Sequence, residues 1–73
     1  MAAIKKLIRL RELLALIGIG RATLYDWLNS NSPRYDPSFP KQIRLGRSSV
    51  AWVAEEVDAW IQRRIAGREV AQD

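Results

Sequence analysis

Histidine and cysteine are both absent from this 73-residue chain. Without histidine, the commonest general base and the commonest metal ligand are missing. Without cysteine, neither a disulfide nor a zinc staple can brace the fold. An enzyme working with carboxylates alone is a distant alternative, and no enzyme, no metal and no cofactor is expected. No apolar run approaches the roughly 18–20 residues that span a bilayer, and no membrane partner is expected. The opening MAAIKKLIRL is too short, and broken too soon by Arg9 and Arg11, to act as a signal peptide. The lack of cysteine fits a reducing compartment, so the expectation is a cytoplasmic protein. Glycine and proline are sparse, at four and three residues, and all three prolines fall within residues 30–40. A chain this short can bury only a small core, which three tryptophans and many Leu, Ile and Val must supply.

Acidic residues are scarce in the first three quarters of the chain. Residues 1–54 hold nine Lys/Arg against Glu12, Asp26 and Asp36, an excess of +6, while residues 55–73 hold three Arg against five acids, or −2. A positive field of that kind attracts phosphate backbones and speeds encounter with them. An ordinary soluble surface with a modest positive excess is the competing reading.

Periodicity gives the order of elements. Residues 1–6 read as a flexible lead-in, and Leu7–Leu10 as a very short strand or extended segment. A first helix is expected over Arg11–Ile17, where Leu13, Leu14, Leu16 and Ile17 stand in i, i+3, i+4 relations. Gly18 suits the left-handed position just past its end. A second helix is expected from Gly20 or Arg21, with Leu24, Trp27 and Leu28 inward and Ala22, Tyr25, Asp26 and Asn29 outward. Pro33 disfavours helical geometry before it and closes that helix. The polar loop SNSPRYDPSFP follows, with Phe39 expected to tuck into the core. Lys41–Leu45 and Val50–Val53 read as a β-hairpin, in which Ile43 and Leu45 form a half-buried alternation and Gly46 takes a positive-φ turn position. A third helix is expected from about Ala54 to Ile65 or Ala66, with Val57, Trp60, Ile61 and Arg64 or Ile65 inward and Gly67 as its stop. Acids in its first turn and arginines near its end complement the helix dipole.

Two short helices joined at Gly18-Ile19-Gly20 have the spacing of a helix-turn-helix, whose second helix can enter a DNA major groove. A hairpin after it is a wing. The expected fold is therefore mainly α with a small β-hairpin, a winged helix-turn-helix DNA-binding domain over residues 7–66, with flexible ends at 1–6 and 67–73.

At IRLREL, IGIGRATLYDWL, FPKQIRLGRSSVAW and EEVDAWIQRRI the chain resembles the AlpA family of prophage regulators, small proteins related in fold to phage excisionases and to the MerR-type winged helix. The resemblance implies sequence-specific DNA binding in a phage or prophage setting, used for transcriptional control or to assist site-specific excision. It also implies that Arg21, Thr23, Tyr25 and Asp26 lie on the major-groove helix and that Arg44 and Arg47 lie on the wing. Gly20 stands where the family pattern has Ser, and Asp26 where it often has a basic residue.

Each candidate has a plainer reading beside the functional one. Arg21 would donate to a guanine edge or clamp a phosphate, or simply be a solvated helix-start arginine. Thr23 would meet a phosphate or a thymine methyl, or help cap its helix. Tyr25 would donate its hydroxyl to phosphate or rest against the wing. Asp26 reads as a helix-surface charge paired with a nearby arginine, or as an acceptor from cytosine. Asn29 touches phosphate or ends the helix. Arg47 would enter a narrow minor groove or keep an edge soluble. Lys41 and Arg44 suit phosphates, as do Arg34 and Tyr35 in the loop, while Lys5, Lys6 and Arg9 would add sequence-independent affinity. Trp27, Trp52 and Trp60 could stack on single strands, but each sits in an apolar pattern that reads as core. A protein-interaction module, such as an antitoxin or adaptor with a basic face, is the reading from a different class.

One such domain buries only about 600–1,000 Å² on DNA. Useful affinity then calls for a homodimer or cooperative array on double-stranded DNA, or for a partner such as an integrase or RNA polymerase.

Overall fold

The computed structural model describes residues 4–71. Of the ends expected to be flexible, residues 1–3 and 72–73 lie outside the described residues. The elements run β1 (Leu7–Ile8), α1 (Leu10–Ile17), α2 (Arg21–Leu28), β2 (Ile43–Arg44), β3 (Val50–Val53) and α3 (Ala54–Ala71). This is a winged helix-turn-helix, with α1 and α2 as the motif and β2–β3 as the wing.

The turn between α1 and α2 forms as its glycine predicts. Gly18 adopts φ 82°, ψ 36°, and its N–H donates to the Leu14 carbonyl at 2.7 Å. The Ile19 N–H donates to the same carbonyl at 3.2 Å, so the last turn of α1 closes on itself and the chain reverses direction. Gly20, at φ −88° and ψ 166°, then starts α2 with no side chain bonded to the free amides.

The sheet is larger than the hairpin alone. Its order is β1-β3-β2, both pairs antiparallel, with Leu7 opposite Val53, Ile8 opposite Trp52, Ile43 opposite Ala51 and Arg44 opposite Val50. The Ala54 N–H donates to the Lys6 carbonyl at 2.8 Å and extends the first pairing. Central β3 carries a continuous apolar run, Val50-Ala51-Trp52-Val53, and Ala51 and Trp52, which point to opposite faces, are both fully buried.

Around it Ile8, Leu13, Leu24, Phe39, Trp52, Val57 and Trp60 form the core. Phe39 returns from the loop into contact with Trp27 and Trp60, with ring centroids 5.5 and 5.0 Å away, and the two indoles lie 5.4 Å apart. All three tryptophans thus serve packing: Trp52 and Trp60 are buried and Trp27 half-buried.

Five local expectations are corrected. Ile43 and Leu45 are exposed, at 38% and 49%, because β2 is a two-residue edge with no layer over it. Gly46 does not take positive φ; among the described residues only Gly18 does. Leu16 points outward, 58% exposed, although it falls in the helical repeat of α1. Helix α3 passes through Gly67 and continues to Ala71, so residues 67–71 are helical rather than a tail, and its inward face ends at Ile61, since Arg64 and Ile65 lie beyond the core and are exposed.

Candidate nucleic-acid interface

Helix α2 is short, and its inner side is fixed by Leu24, which is fully buried, with Trp27 and Leu28 half-buried beside it. That anchoring turns Arg21, Ala22, Tyr25 and Asn29 to the outside, where all four are exposed, while Thr23 is half-buried. The first-turn amides of α2 have no capping side chain, so the partial positive charge of its start is open to solvent.

Asp26 has a partner. Its Oδ2 lies 3.6 Å from Arg34 Nη1, and its Oδ1 accepts from Ser32 Oγ at 3.4 Å. The loop that follows α2 thus folds back on the helix and brings a guanidinium next to its carboxylate. Asn29 closes the helix: its N–H donates to the Tyr25 carbonyl at 3.0 Å, and its Oδ1 accepts from the Asn31 N–H at 2.9 Å.

The 30–40 loop is held by short-range bonds. The Asp36 N–H donates to the Trp27 carbonyl at 3.0 Å, and Asp36 Oδ1 accepts from the Ser38 N–H at 2.9 Å and the Ser38 hydroxyl at 2.6 Å. These Ser38 bonds hold the Asp36 carboxyl below its ordinary range; partial burial opposes them, and the Arg64 charge adds to them. The Trp60 indole N–H adds a weak pull from a geometry short of a formed hydrogen bond.

Tyr25, Asn29, Tyr35 and Lys41 come together around one open hollow of about 650 Å³, between the end of α2, the loop and the lead into β2. On the wing, Arg44 Nη1 donates to the Arg47 carbonyl at 3.2 Å, so the one arginine braces the turn that carries the other. The Leu45 and Gly46 amides both donate to the Ser49 carbonyl and close that turn. Arg47 itself is exposed. The candidate cations thus fall into three groups: Arg21 at the start of α2, Lys41 with the two tyrosines, and the Arg44–Arg47 pair.

In the free protein the cations of the N-terminus already have partners. Lys5 pairs with Glu55, and Lys6 lies 3.8 Å from Glu12. The Glu55 carboxylate raises the Lys5 pKa, first through their hydrogen bond and then through its charge. Arg9 donates from Nε to the Val50 carbonyl at 2.9 Å and fixes the start of β3. No local sequence signal marks Arg9 as a strand anchor, because its acceptor is 41 residues away. The brace of Arg44 on Arg47 was likewise invisible to spacing alone.

A helix-turn-helix with an exposed, uncapped second helix and an arginine-bearing hairpin defines the class: a winged helix-turn-helix protein. More particularly, the model of the family described as prophage CP4-57 regulatory protein (AlpA) matches residues 6–65, and the chain belongs to that family. It is 48% identical over 59 residues to the DNA-binding transcriptional activator AlpA of Escherichia coli K12, covering 81% of this chain and 84% of the relative. It is also 36% identical over 69 residues to an uncharacterized protein, ORF88, of Enterobacteria phage P4, covering 94% of this chain and 72% of that protein. No solved structure matches the chain.

Proposed function

We propose that this chain is a sequence-specific duplex-DNA-binding regulator of transcription, with α2 in the major groove and the β2–β3 wing on the adjacent groove. The observation that carries the reading is the outward side of α2, polar, exposed and uncapped, on a chain whose relative is named a DNA-binding transcriptional activator. Recognition helices of this architecture read base edges from their first turns, and Arg21 stands there. Its guanidinium would donate two bonds to the O6 and N7 of a guanine. Thr23, Tyr25, Asn29 and Lys41 would donate to phosphates and set the register of the helix without reading sequence. Asp26 already accepts from Ser32 and sits against Arg34; its role is to hold the loop, with the Arg34 charge balanced against it. Arg47, presented by the turn that Arg44 braces, would enter the minor groove.

Selection of bound sequences from a random duplex library tests this directly. The unaltered protein should return one motif, and Arg21→Ala should relax it at one or two positions with a loss of about 1–3 kcal/mol. Arg47→Ala should weaken binding with little change in the motif. An Arg21→Ala protein that selects the same motif at the same affinity would sink the assignment of α2 as the reading helix. The position of the footprint, at a promoter or at an attachment site, separates transcriptional control from assistance to excision.

A further inference from the structure

From Gln62 to Arg68 every residue of α3 is exposed; the second half of the helix runs on beyond the core. Two unsupported turns containing a glycine are marginal in water, so something is expected to cover them. The pattern on that stretch says what. Asp58, Ile61, Ile65 and Arg68 recur at i, i+3, i+7 and i+10, the a/d spacing of a coiled-coil seam, within about 80° of arc at 100° per residue. Ile65 is 44% exposed and Ile61 half-buried, and both line a shallow groove with Leu16 of α1, itself 58% exposed. Among the described residues neither Asp58 nor Arg68 has an ion-pair partner.

The seam is complementary to itself. When two such helices run antiparallel about residue 63, Ile61 of one copy faces Ile65 of the other, and Asp58 of each faces Arg68 of the other. The acidic start of one α3 then meets the basic end of its partner, which also opposes the helix dipoles favourably. We propose that this face binds a second copy of the chain, as an antiparallel α3–α3 pair with two-fold symmetry. The contact covers about ten residues of each helix, some 15 Å at 1.5 Å per residue. A contact that short lies at the weak end of dimer interfaces, so association is weak in free solution and matters most where copies are already held close together. The inference concerns the free protein and does not depend on the DNA reading.

Sedimentation equilibrium of the full chain without DNA tests it, from about 10 µM to about 1 mM, where contacts of this size associate. The mass should rise with concentration from the 8.4 kDa of one chain towards twice that value. Asp58→Arg alone puts arginine against arginine at both ends of the seam, and Arg68→Asp alone puts aspartate against aspartate; each should weaken association by about tenfold or more. Mixing the two variants restores an arginine–aspartate pair at both ends, so the mixture should associate as the native chain does. Both substitutions are on exposed positions, and circular dichroism checks that the fold is kept. A native chain that stays monomeric throughout, or a mixture that associates no better than either variant alone, overturns the proposal.

Discussion

Asp36 shows how much one side chain holds in a domain this small. It sits at the bend of the loop between α2 and β2, and its carboxylate collects two bonds from Ser38 while its amide bonds Trp27. Those bonds keep the turn that delivers Phe39 to the aromatic cluster. Removing the carboxylate in Asp36→Ala should cost about 1 kcal/mol, the range of a lost cap or a hydrogen bond to a charged acceptor discounted for its partial exposure. At this chain length that lowers Tm by about 4–8 °C. The pH dependence has a definite sign. The Ser38 bonds hold the folded pKa of Asp36 below the ordinary carboxylate range, so the folded state binds the proton less readily than the unfolded one. The stability it adds is complete above about pH 5 and is lost as pH falls through the carboxylate range towards the lower folded value. Urea denaturation at pH 7 and at pH 3 should therefore show a smaller gap between native protein and Asp36→Ala at the acidic pH. A gap that is constant or wider at pH 3 would remove Asp36 as the loop's anchor.

At the scale of elements, two glycines two residues apart call for opposite outcomes. Gly18 needs its positive φ, and an added Cβ meets nothing within 4 Å. Gly18→Ala therefore suffers only the backbone penalty of the left-handed region, about 1–2 kcal/mol. Gly20 has an ordinary extended backbone and open space around a Cβ. Gly20→Ser should stabilise the protein by a few tenths of a kcal/mol by capping an open amide of α2. Thermal melts of the two variants should move in opposite directions; a stabilising Gly18→Ala would mean the helix-turn-helix does not close as described. Elements of this kind were legible because their causes are local: a glycine after an apolar repeat, a proline after a helix, alternation about a turn. The joining of Leu7 to Val53 was not, since nothing local tells a short apolar segment which strand it will meet. Alternation at Ile43 and Leu45 showed that β2 has two faces, but not that no layer covers either of them. The passage of α3 through Gly67 was missed for a quantitative reason: a glycine inside a helix costs only about 1 kcal/mol relative to alanine, too little to end a helix that other forces continue. At the site, the outward set on α2 followed from the 3.6-residue period, whereas the partners of Asp26 and Arg44 depend on how a loop and a turn fold back.

For the whole molecule the central quantity is how many positive charges are left for an anionic partner. Counting residues 1–54 gives nine Lys/Arg, and if all met phosphates the slope of log K against log salt would be about −8. The structure divides them. Lys5, Lys6 and Arg34 each have a carboxylate partner, and Arg9 is held on a strand carbonyl. Arg11, Arg21, Lys41, Arg44 and Arg47 have no ion-pair partner among the described residues. Four of these, Arg21, Lys41, Arg44 and Arg47, lie on α2, the lead into β2 and the wing, and if each displaces one counterion the slope is about −3 to −4. Arg47→Ala should make that slope shallower by about 1. Lys5→Ala should leave it nearly unchanged, because Lys5 is paired with Glu55 and is not among the cations that meet the duplex. Titration of a fixed duplex with the three proteins, from low to moderate salt, measures all of this in one series. A native slope near −8, with Lys5→Ala shallower by a full unit, would mean that the N-terminal lysines leave their carboxylates for phosphates. The binding face would then extend past α2 and the wing to β1, and the division of charge argued from the free protein would not survive in the complex.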